Sequence, residues 1–421
     1  MKRIIAIWTF AFLGILQLHG QSVSGWVKDI ETMEPLPFAT VGVKGTTLGT
    51  ITNEEGYFEF RVNSIEGELV FNFMGYEPLI KPISSFLDEG RAATLKPTSI
   101  TLDELVIRPL SPEDYIKRVV KNQINALPQQ PYSANAYYRE KFKENDGYIA
   151  YNEGIFKFHF PTYQDSLANQ YQLCLYETAE NPQEMQFLKR KTDKKEERKR
   201  KKAAKKGEEY EDDAKDLINV SFGGPNEILA SQMGEEVDDF LDSTKFRKFR
   251  YEFGTPRKYQ GRELMVINFR SRGKTDHQKT DGKIYIDTRL DAFAGVEYAG
   301  ELIIPILIEP ILLAFGISFS DLLISKVTRM QYIDGYWYPD YEKMDVTMQA
   351  KKRYLFSKNE ISQFDIDQVL KVSDLRIGDT IEIPQNLRYD PAKNPEEQVQ
   401  NTENWEWEDF NRIMEEGSVK L

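Results

Sequence analysis

The chain predicts a mainly β, α+β protein: an N-terminal β-sandwich, one connecting helix and a larger C-terminal antiparallel domain. Three observations in its 421 residues carry that reading. Short β-rich runs at 23–28, 39–43, 57–62 and 69–73 are separated by turn residues at the close spacing of a sandwich. A helix start stands at Ser111-Pro112-Glu113-Asp114. Beyond it, apolar and polar residues alternate with the period of half-buried strands, as in Met344, Val346 and Met348 against Lys343, Asp345 and Thr347.

Taken in order, Lys2 and Arg3 precede an apolar run at 4–18, and His19-Gly20 then leads to polar Gln21. That is the charge, core and small-residue order of a secretory signal peptide, so residues 1–20 are read as one, cleaved after Gly20. The run is short for a membrane span. Cys174 is the sole cysteine and lies far from that site, so neither a lipid-bearing N-terminal cysteine nor an internal disulfide is expected.

The sandwich is assigned to 21–108. Pro35 and Pro37 belong to the loop before a strand, because neither can donate to a ladder. Asn53-Glu54-Glu55-Gly56 is a turn whose glycine can take positive φ, and Phe58 and Phe60 alternating with Glu59 and Arg61 follow it as a strand. The connecting element, 109–131, has Ser111 as cap, Pro112 at the first helical position and acids in the first turn, with Tyr115, Ile116, Val119, Val120 and Ile124 at helical spacing up to Pro128.

The second domain, 132–375, shows Ile284 and Ile286 against Lys283, Tyr285 and Asp287, and Asp334-Gly335 between two β-rich runs marks a hairpin. A helix is expected over 226–241, with Ile228, Leu229, Val237, Phe240 and Leu241 on one face. Near 189–215 a lysine- and arginine-rich block runs straight into an acidic one; without an apolar period it reads as a solvated insertion, with peripheral contact to lipid headgroups as the alternative. Residues 376–421 form an acidic tail containing Pro384, Pro391 and Pro395, in which Asn404 is expected to cap a last helix carrying Trp407, Phe410 and Met414 on one side.

Two resemblances give these elements names. The motif Val23-Ser24-Gly25-Trp26-Val27-Lys28-Asp29, with Glu34-Pro35-Leu36-Pro37, Asn53-Glu54-Glu55-Gly56-Tyr57-Phe58 and Gly75-Tyr76, resembles the carboxypeptidase-regulatory-like domain. The resemblance implies a transthyretin-like β-sandwich of secreted and envelope proteins, one that also stands at the front of outer-membrane nutrient receptors. The succession Leu264 to Phe269, Gly282 to Asp287 and Gly295 to Tyr298, with its Ile286-Asp287-Thr288 turn, is similar to lipoprotein-carrier half-barrels, which implies a half-barrel-like C-terminal domain. The stretch Tyr137-Tyr138-Arg139-Glu140 with Gly147 to Gly154 looks like the start of the domain that follows the regulatory-like module in a group of envelope proteins.

For function, the residue inventory excludes more than it assigns. The three histidines, His19, His159 and His277, have no zinc-motif spacing, so no zinc carboxypeptidase is encoded and no metal or cofactor is expected. There is no Gly-x-Ser-x-Gly elbow, phosphate-cradling loop or dinucleotide fingerprint. Cys174 and His159 stand among apolar and aromatic neighbours, as an inert thiol and a satisfied packing histidine. Net charge of -12 argues against nucleic acid as a partner.

Two ligand-binding candidates remain. If the stretches around Tyr137 and Gly147 pair as a hairpin, Arg139, Glu140 and Glu153 come close together, as a structural ion pair or as two carboxylates able to do acid-base work. The apolar segment 302–319, interrupted by Pro305, Glu309 and Pro310, is either core or a cover over an apolar cavity, with Leu307 and Phe315 as its contacts. The expectation is an exported, non-catalytic envelope protein, in the periplasm or at the periplasmic face of the outer membrane. Its partner is an envelope protein or an apolar ligand. The alternatives are a periplasmic carrier of lipid and a hydrolase using the carboxylate pair.

Overall fold

The computed structural model describes residues 21–413 apart from 47, 63, 88–89, 99–109, 162–168, 179–184, 188–237, 274–277, 303–315, 355–357, 379 and 391–392. The expected signal at 1–20, the charged insertion and most of the apolar segment lie outside the described residues. The chain divides into two compact units, one of residues 1–97 with 410–421 and one of residues 98–409.

The first unit is built from β1 (Gln21–Asp29), β2 (Thr40–Val43), β3 (Gly49–Ile51), β4 (Tyr57–Val62), β5 (Glu68–Asn72), β6 (Leu79–Pro82) and β7 (Ala92–Leu95). They form two sheets, β4-β1-β7 and β3-β2-β5-β6. Strand β1 runs antiparallel to β4 and parallel to β7. Alternation in β1 and β4 sends Val23, Val27, Phe58 and Phe60 inward to meet Val41, Leu69 and Phe71 from the second sheet. Each such side chain contributes about 1.5–3 kcal/mol by leaving water, and the Phe58 ring sits 5.7 Å from Phe71 and 5.8 Å from Phe86.

The turn into β4 forms as its residues require. Gly56 has φ 72°, and a Cβ there would stand 2.7 Å from the Val27 carbonyl oxygen, so only glycine fits. The Asn53 carboxamide oxygen accepts from the backbone N–H groups of Glu55 and Tyr57. Thr52 holds the proline loop by donating to the Leu36 carbonyl while accepting from the Ala39 N–H.

In the second unit, α1 (Pro112–Ala126) begins as expected, with Ser111 Oγ accepting the Asp114 N–H at 3.1 Å. The strands are β8 (Tyr132–Glu144), β9 (Gly147–Phe160), β10 (Gln170–Thr178), β11 (Phe249–Phe253), β12 (Arg257–Tyr259), β13 (Arg262–Ser271), β14 (Gln278–Asp287), β15 (Ala292–Leu302), β16 (Ile317–Ile333), β17 (Tyr336–Lys352) and β18 (Glu360–Ile377). They make one eleven-stranded sheet in the order β10-β9-β8-β18-β17-β16-β15-β14-β13-β11, with β12 beside β13. Most neighbours in the sheet are consecutive antiparallel strands, and the Asp334-Gly335 turn has φ of 47° and 94°, both positive as a two-residue hairpin requires. The exceptions are β11 against β13 and, over the longest span, β18 against β8, which joins residues more than 200 positions apart in register Glu140↔Gln368 and Arg139↔Val369.

One face of this sheet is its core. Tyr138, Phe156, Phe158, Leu370 and Val372 lie there, and α1 covers the far end with Tyr115, Ile116 and Val119 against Phe249, Met265, Ile267 and Ile284. The expected helix over 226–241 falls outside the described residues up to 237, and 239–241 form a turn. Within that turn Phe240 is fully buried and stacks on Phe269 with ring centroids 4.1 Å apart. At the outer edge of β10 the tail takes up free carbonyls: the Tyr389 N–H donates to Tyr171 and the Gln400 N–H to Leu173. That hides an edge open to foreign strands.

The last expected helix is corrected to a 3-10 turn at Trp407–Asp409. Asn404 has φ 54°, the left-handed region, whereas a helix cap sits in the extended one. In the first unit, Asn411 Oδ1 accepts from the Arg61 N–H, and Ile413 is buried.

Candidate functional site

Strands β8 and β9 do pair as a hairpin, with Arg139 opposite Glu153 and Glu140 opposite Asn152. Adjacent residues of a strand point to opposite faces, so the expected trio is divided. Arg139 and Glu153 share the polar face; Glu140 lies on the apolar one.

Glu140 is 1% exposed. Its Oε2 accepts from Gln368 Nε2 at 2.6 Å and the Tyr138 hydroxyl at 2.9 Å, and its Oε1 from Asn152 Nδ2 at 3.3 Å. Burial raises its carboxyl above the usual carboxylate range, and the three donors work against that rise. With three neighbouring donors fixed on it and aromatic rings around it, this group is locked in the core rather than presented to a substrate.

On the other face, Glu153 Oε1 accepts from the hydroxyls of Tyr137 at 2.7 Å and Tyr151 at 2.8 Å. Burial and then the Glu153 charge push the Tyr137 phenol far up, so it keeps its proton and donates. The Arg139 guanidinium lies 3.3 Å from Asp367, and Lys343 bridges Asp367 at 3.3 Å and Asp345 at 3.1 Å. The Asp345 and Asp367 carboxylate oxygens lie within 4.8 Å of each other. Burial and the Asp367 charge raise Asp345, with Lys343 opposing; Asp367, although buried, is held down by Arg139 and Lys343. The two environments therefore split the pair, as close like charges require.

From Asp345 this face runs on to an open cavity of about 550 Å³, walled by Asp281, Ala299, Glu301, Leu323, Asp345 and Thr347. The registers explain the hollow. Asp281, Ala299, Ser325 and Asp345 form one cross-strand row, and its two middle members are small. In addition β16 slips register between Ser320 and Leu323, where Asp321 has φ 51°.

Beyond the cavity, Glu297 accepts from Arg329 at 2.6 Å, the Tyr285 hydroxyl at 2.7 Å and Lys283 at 2.9 Å. Burial opposes its charge, yet Arg329, Lys283 and Tyr285 together hold its carboxyl down at about 2.

Leu307 and Phe315 lie outside the described residues. Cys174 is buried at a bulge in β10, and burial lifts its thiol to about 12, the inert state expected. His159 is buried as expected, but neither ring nitrogen has a hydrogen-bond partner among the described residues, so it is not satisfied; burial keeps it neutral. Asp367, Asp281, Glu301 and the cavity were missed from sequence. The available signal was the repeated charge at every second residue, as in Lys343 and Asp345 or Asp365 and Asp367.

Comparison with known proteins bears on the first unit. Residues 23–107 match the model of the CarboxypepD_reg-like domain, and this part of the chain is such a domain. Over 87 residues the chain is 39% identical to the TonB-dependent receptor SusC of Bacteroides thetaiotaomicron, a match that spans 20% of this chain and 8% of the receptor.

Among solved structures, a DUF1329 family protein from Desulfovibrio piger aligns over 64% of this chain and 93% of its own, at 10% identity and a TM-score of 0.23. A membrane-associated protein of unknown function from Bacteroides fragilis aligns over 84% and 97%, at 12% identity and a TM-score of 0.15.

Proposed function

We propose that this chain is a non-catalytic protein of the bacterial cell envelope that acts by binding, through the polar face of its large sheet, with the CarboxypepD_reg-like domain as an accessory module. The envelope assignment is supported by the likeness of residues 23–107 to part of a TonB-dependent receptor and by the signal-like order of residues 1–20.

The binding assignment rests on one observation: the cavity of about 550 Å³ opens on the polar face. A volume in the range of small-ligand pockets, with an apolar wall and a few polar groups, is the usual form of a binding site. The non-catalytic part is supported by the separation of Glu140 from Glu153 and by the fixed partners of each. Two carboxylates on opposite faces of one sheet cannot flank the same bond.

The test is to incubate the full chain with ester, glycoside and peptide substrate panels and, in parallel, to screen it against small-molecule ligands by thermal shift. Stabilisation by a ligand without turnover is the expected result. Turnover abolished by Glu153→Gln or Glu140→Gln in a folded protein would overturn the proposal.

A further inference from the structure

We infer that residues 382–390 are an acid-opened strap across the edge of β10, with His159 beneath them as the group that senses pH. The path of the strap follows from its contacts and is independent of the cavity. His159 on β9 stands directly opposite Gln170 on β10, so the two side chains share a face. The Gln170 carboxamide oxygen accepts the Ile383 N–H at 2.7 Å, which lays the strap on that face, and Ile383 is buried. Arg388 Nε donates back to the Ile383 carbonyl at 2.9 Å. The chain then passes the edge, where the Tyr389 N–H donates to the Tyr171 carbonyl, and the Tyr389 ring meets Phe156 on the other, apolar face.

Beneath this strap His159 is 3% exposed, and neither ring nitrogen has a hydrogen-bond partner among the described residues. A neutral imidazole there forgoes its hydrogen bonds; an imidazolium would bury a charge and two donors with no acceptor in reach, which costs far more. The surrounding charges do not offset that. On the strap, Arg388 opposes a second positive charge and Glu382 favours one, but Glu382 is largely exposed and lies 3.7 Å from Arg388. On β9 the next residue of the same face, Lys157, is paired with Glu403. On β8 the facing residue is Ser133, and the row continues to Arg376 on β18, itself paired with Asp374. Strand β10 presents neutral Gln170 and Gln172.

Linkage fixes the direction of the effect. The closed strap holds the imidazole neutral, whereas the open one gives it to water, where it takes a proton near pH 6.5. The stability of the closed form is therefore fully present above that pH and declines below it, by up to about tenfold in the closed-to-open ratio for each pH unit. Histidine is the side chain whose ordinary range lies between pH 5 and 8, and His159 is the sole histidine among the described residues. Opening bares the Tyr171 carbonyl at the sheet edge and lifts the Tyr389 ring from Phe156, so acid exposes both an edge and part of the core.

The experiment is amide hydrogen exchange on the full chain, read as the protection of Ile383 and Tyr389 relative to their unfolded rates at each pH, with β13 as reference. Protection of the two strap amides is expected to fall about fivefold or more from pH 7.5 to pH 5 while β13 is unchanged. His159→Phe, which keeps a ring at the buried position, should abolish the fall. Glu382→Gln, at an exposed position, leaves Arg388 unopposed and should steepen it, and this variant tests the same charge without touching the core. Strap protection that does not change with pH in the parent would overturn the inference. So would an equal fall in His159→Phe, or a shallower one in Glu382→Gln. Loss of protection in β13 in step with the strap would also overturn it, because the acid effect would then be unfolding of the whole unit.

Discussion

Arg139 and Glu140 are chain neighbours, yet they belong to two different physical environments. Glu140 sits on a face filled by Tyr138, Phe156 and Leu370, where its carboxyl is tied to three neutral donors. Arg139 belongs to a network of opposite charges that includes Asp367, Lys343 and Asp345. On the first face packing dominates, and the buried carboxylates Glu140 and Glu144 are each tied to fixed neutral donors; on the second, each charge is held by its neighbours and the network ends in a cavity. Desolvating so many charges costs free energy that apolar residues of the same size would avoid. A sheet that keeps them on one face is therefore shaped by something other than stability, and recognition is the reading adopted above.

Substitutions can sharpen or break this contrast. The largest effect belongs to the apolar face: Phe156→Ala, at a fully buried position, should cost about 3–5 kcal/mol, measured by urea unfolding. A loss under 1 kcal/mol would mean that this face is not the core.

Next comes Glu297, whose folded carboxyl titrates at about 2 against an ordinary value of 4.5. A depressed acid contributes stability that is fully present above pH 4.5 and disappears as pH falls toward 2. Glu297→Gln should therefore lower stability at neutral pH by roughly 2 kcal/mol, allowing for its partial exposure, and flatten the acid limb of the stability curve. An unchanged acid limb would show that the Arg329 and Lys283 contacts do not hold in solution.

Glu140 should behave with the opposite sign. Its folded value is raised, so its contribution is greatest below pH 4.5 and is lost as pH climbs through the folded value. Glu140→Gln keeps an acceptor for Gln368 and Tyr138, and its cost, about 1 kcal/mol at pH 4, should shrink as pH rises to 8. A cost that grows with pH would place an ionised, stabilising carboxylate there instead.

The smallest effect is reserved for an exposed pair. Arg270 and Asp281 are 2.9 Å apart with side chains 74% and 53% exposed, and Arg270→Ala should shift stability by less than about 0.5 kcal/mol.

Local chemistry was legible in the sequence wherever a few adjacent residues decide the outcome. Ser111 caps its helix, Gly56 takes its positive φ, and Asp334-Gly335 turns its hairpin, because each depends on backbone preferences of one or two residues. Alternation in 343–348 gave the two faces of β17, with Met344 and Met348 buried as expected. It did not show that Lys343 is 5% exposed on the other face, since burial of a charged face depends on what packs over it.

The register of β18 on β8 was invisible for a similar reason. It brings Asp367 beside Arg139 across more than 200 residues, and no local pattern encodes such a distance. The expected meeting of Arg139, Glu140 and Glu153 paired the right strands but overlooked the pleat, which sends consecutive side chains to opposite faces.

The central claim is that the polar face binds while the apolar face is sealed core. Native mass spectrometry of the full chain isolated from its own envelope, beside Thr347→Trp, tests it most directly. Thr347 lines the cavity from β17, and tryptophan is well accommodated in strands, so the variant should fold with the hollow filled. A small adduct present on the parent and absent from the folded variant is the expected result. An adduct that persists in Thr347→Trp would contradict the account, because the ligand would then lie elsewhere on the molecule.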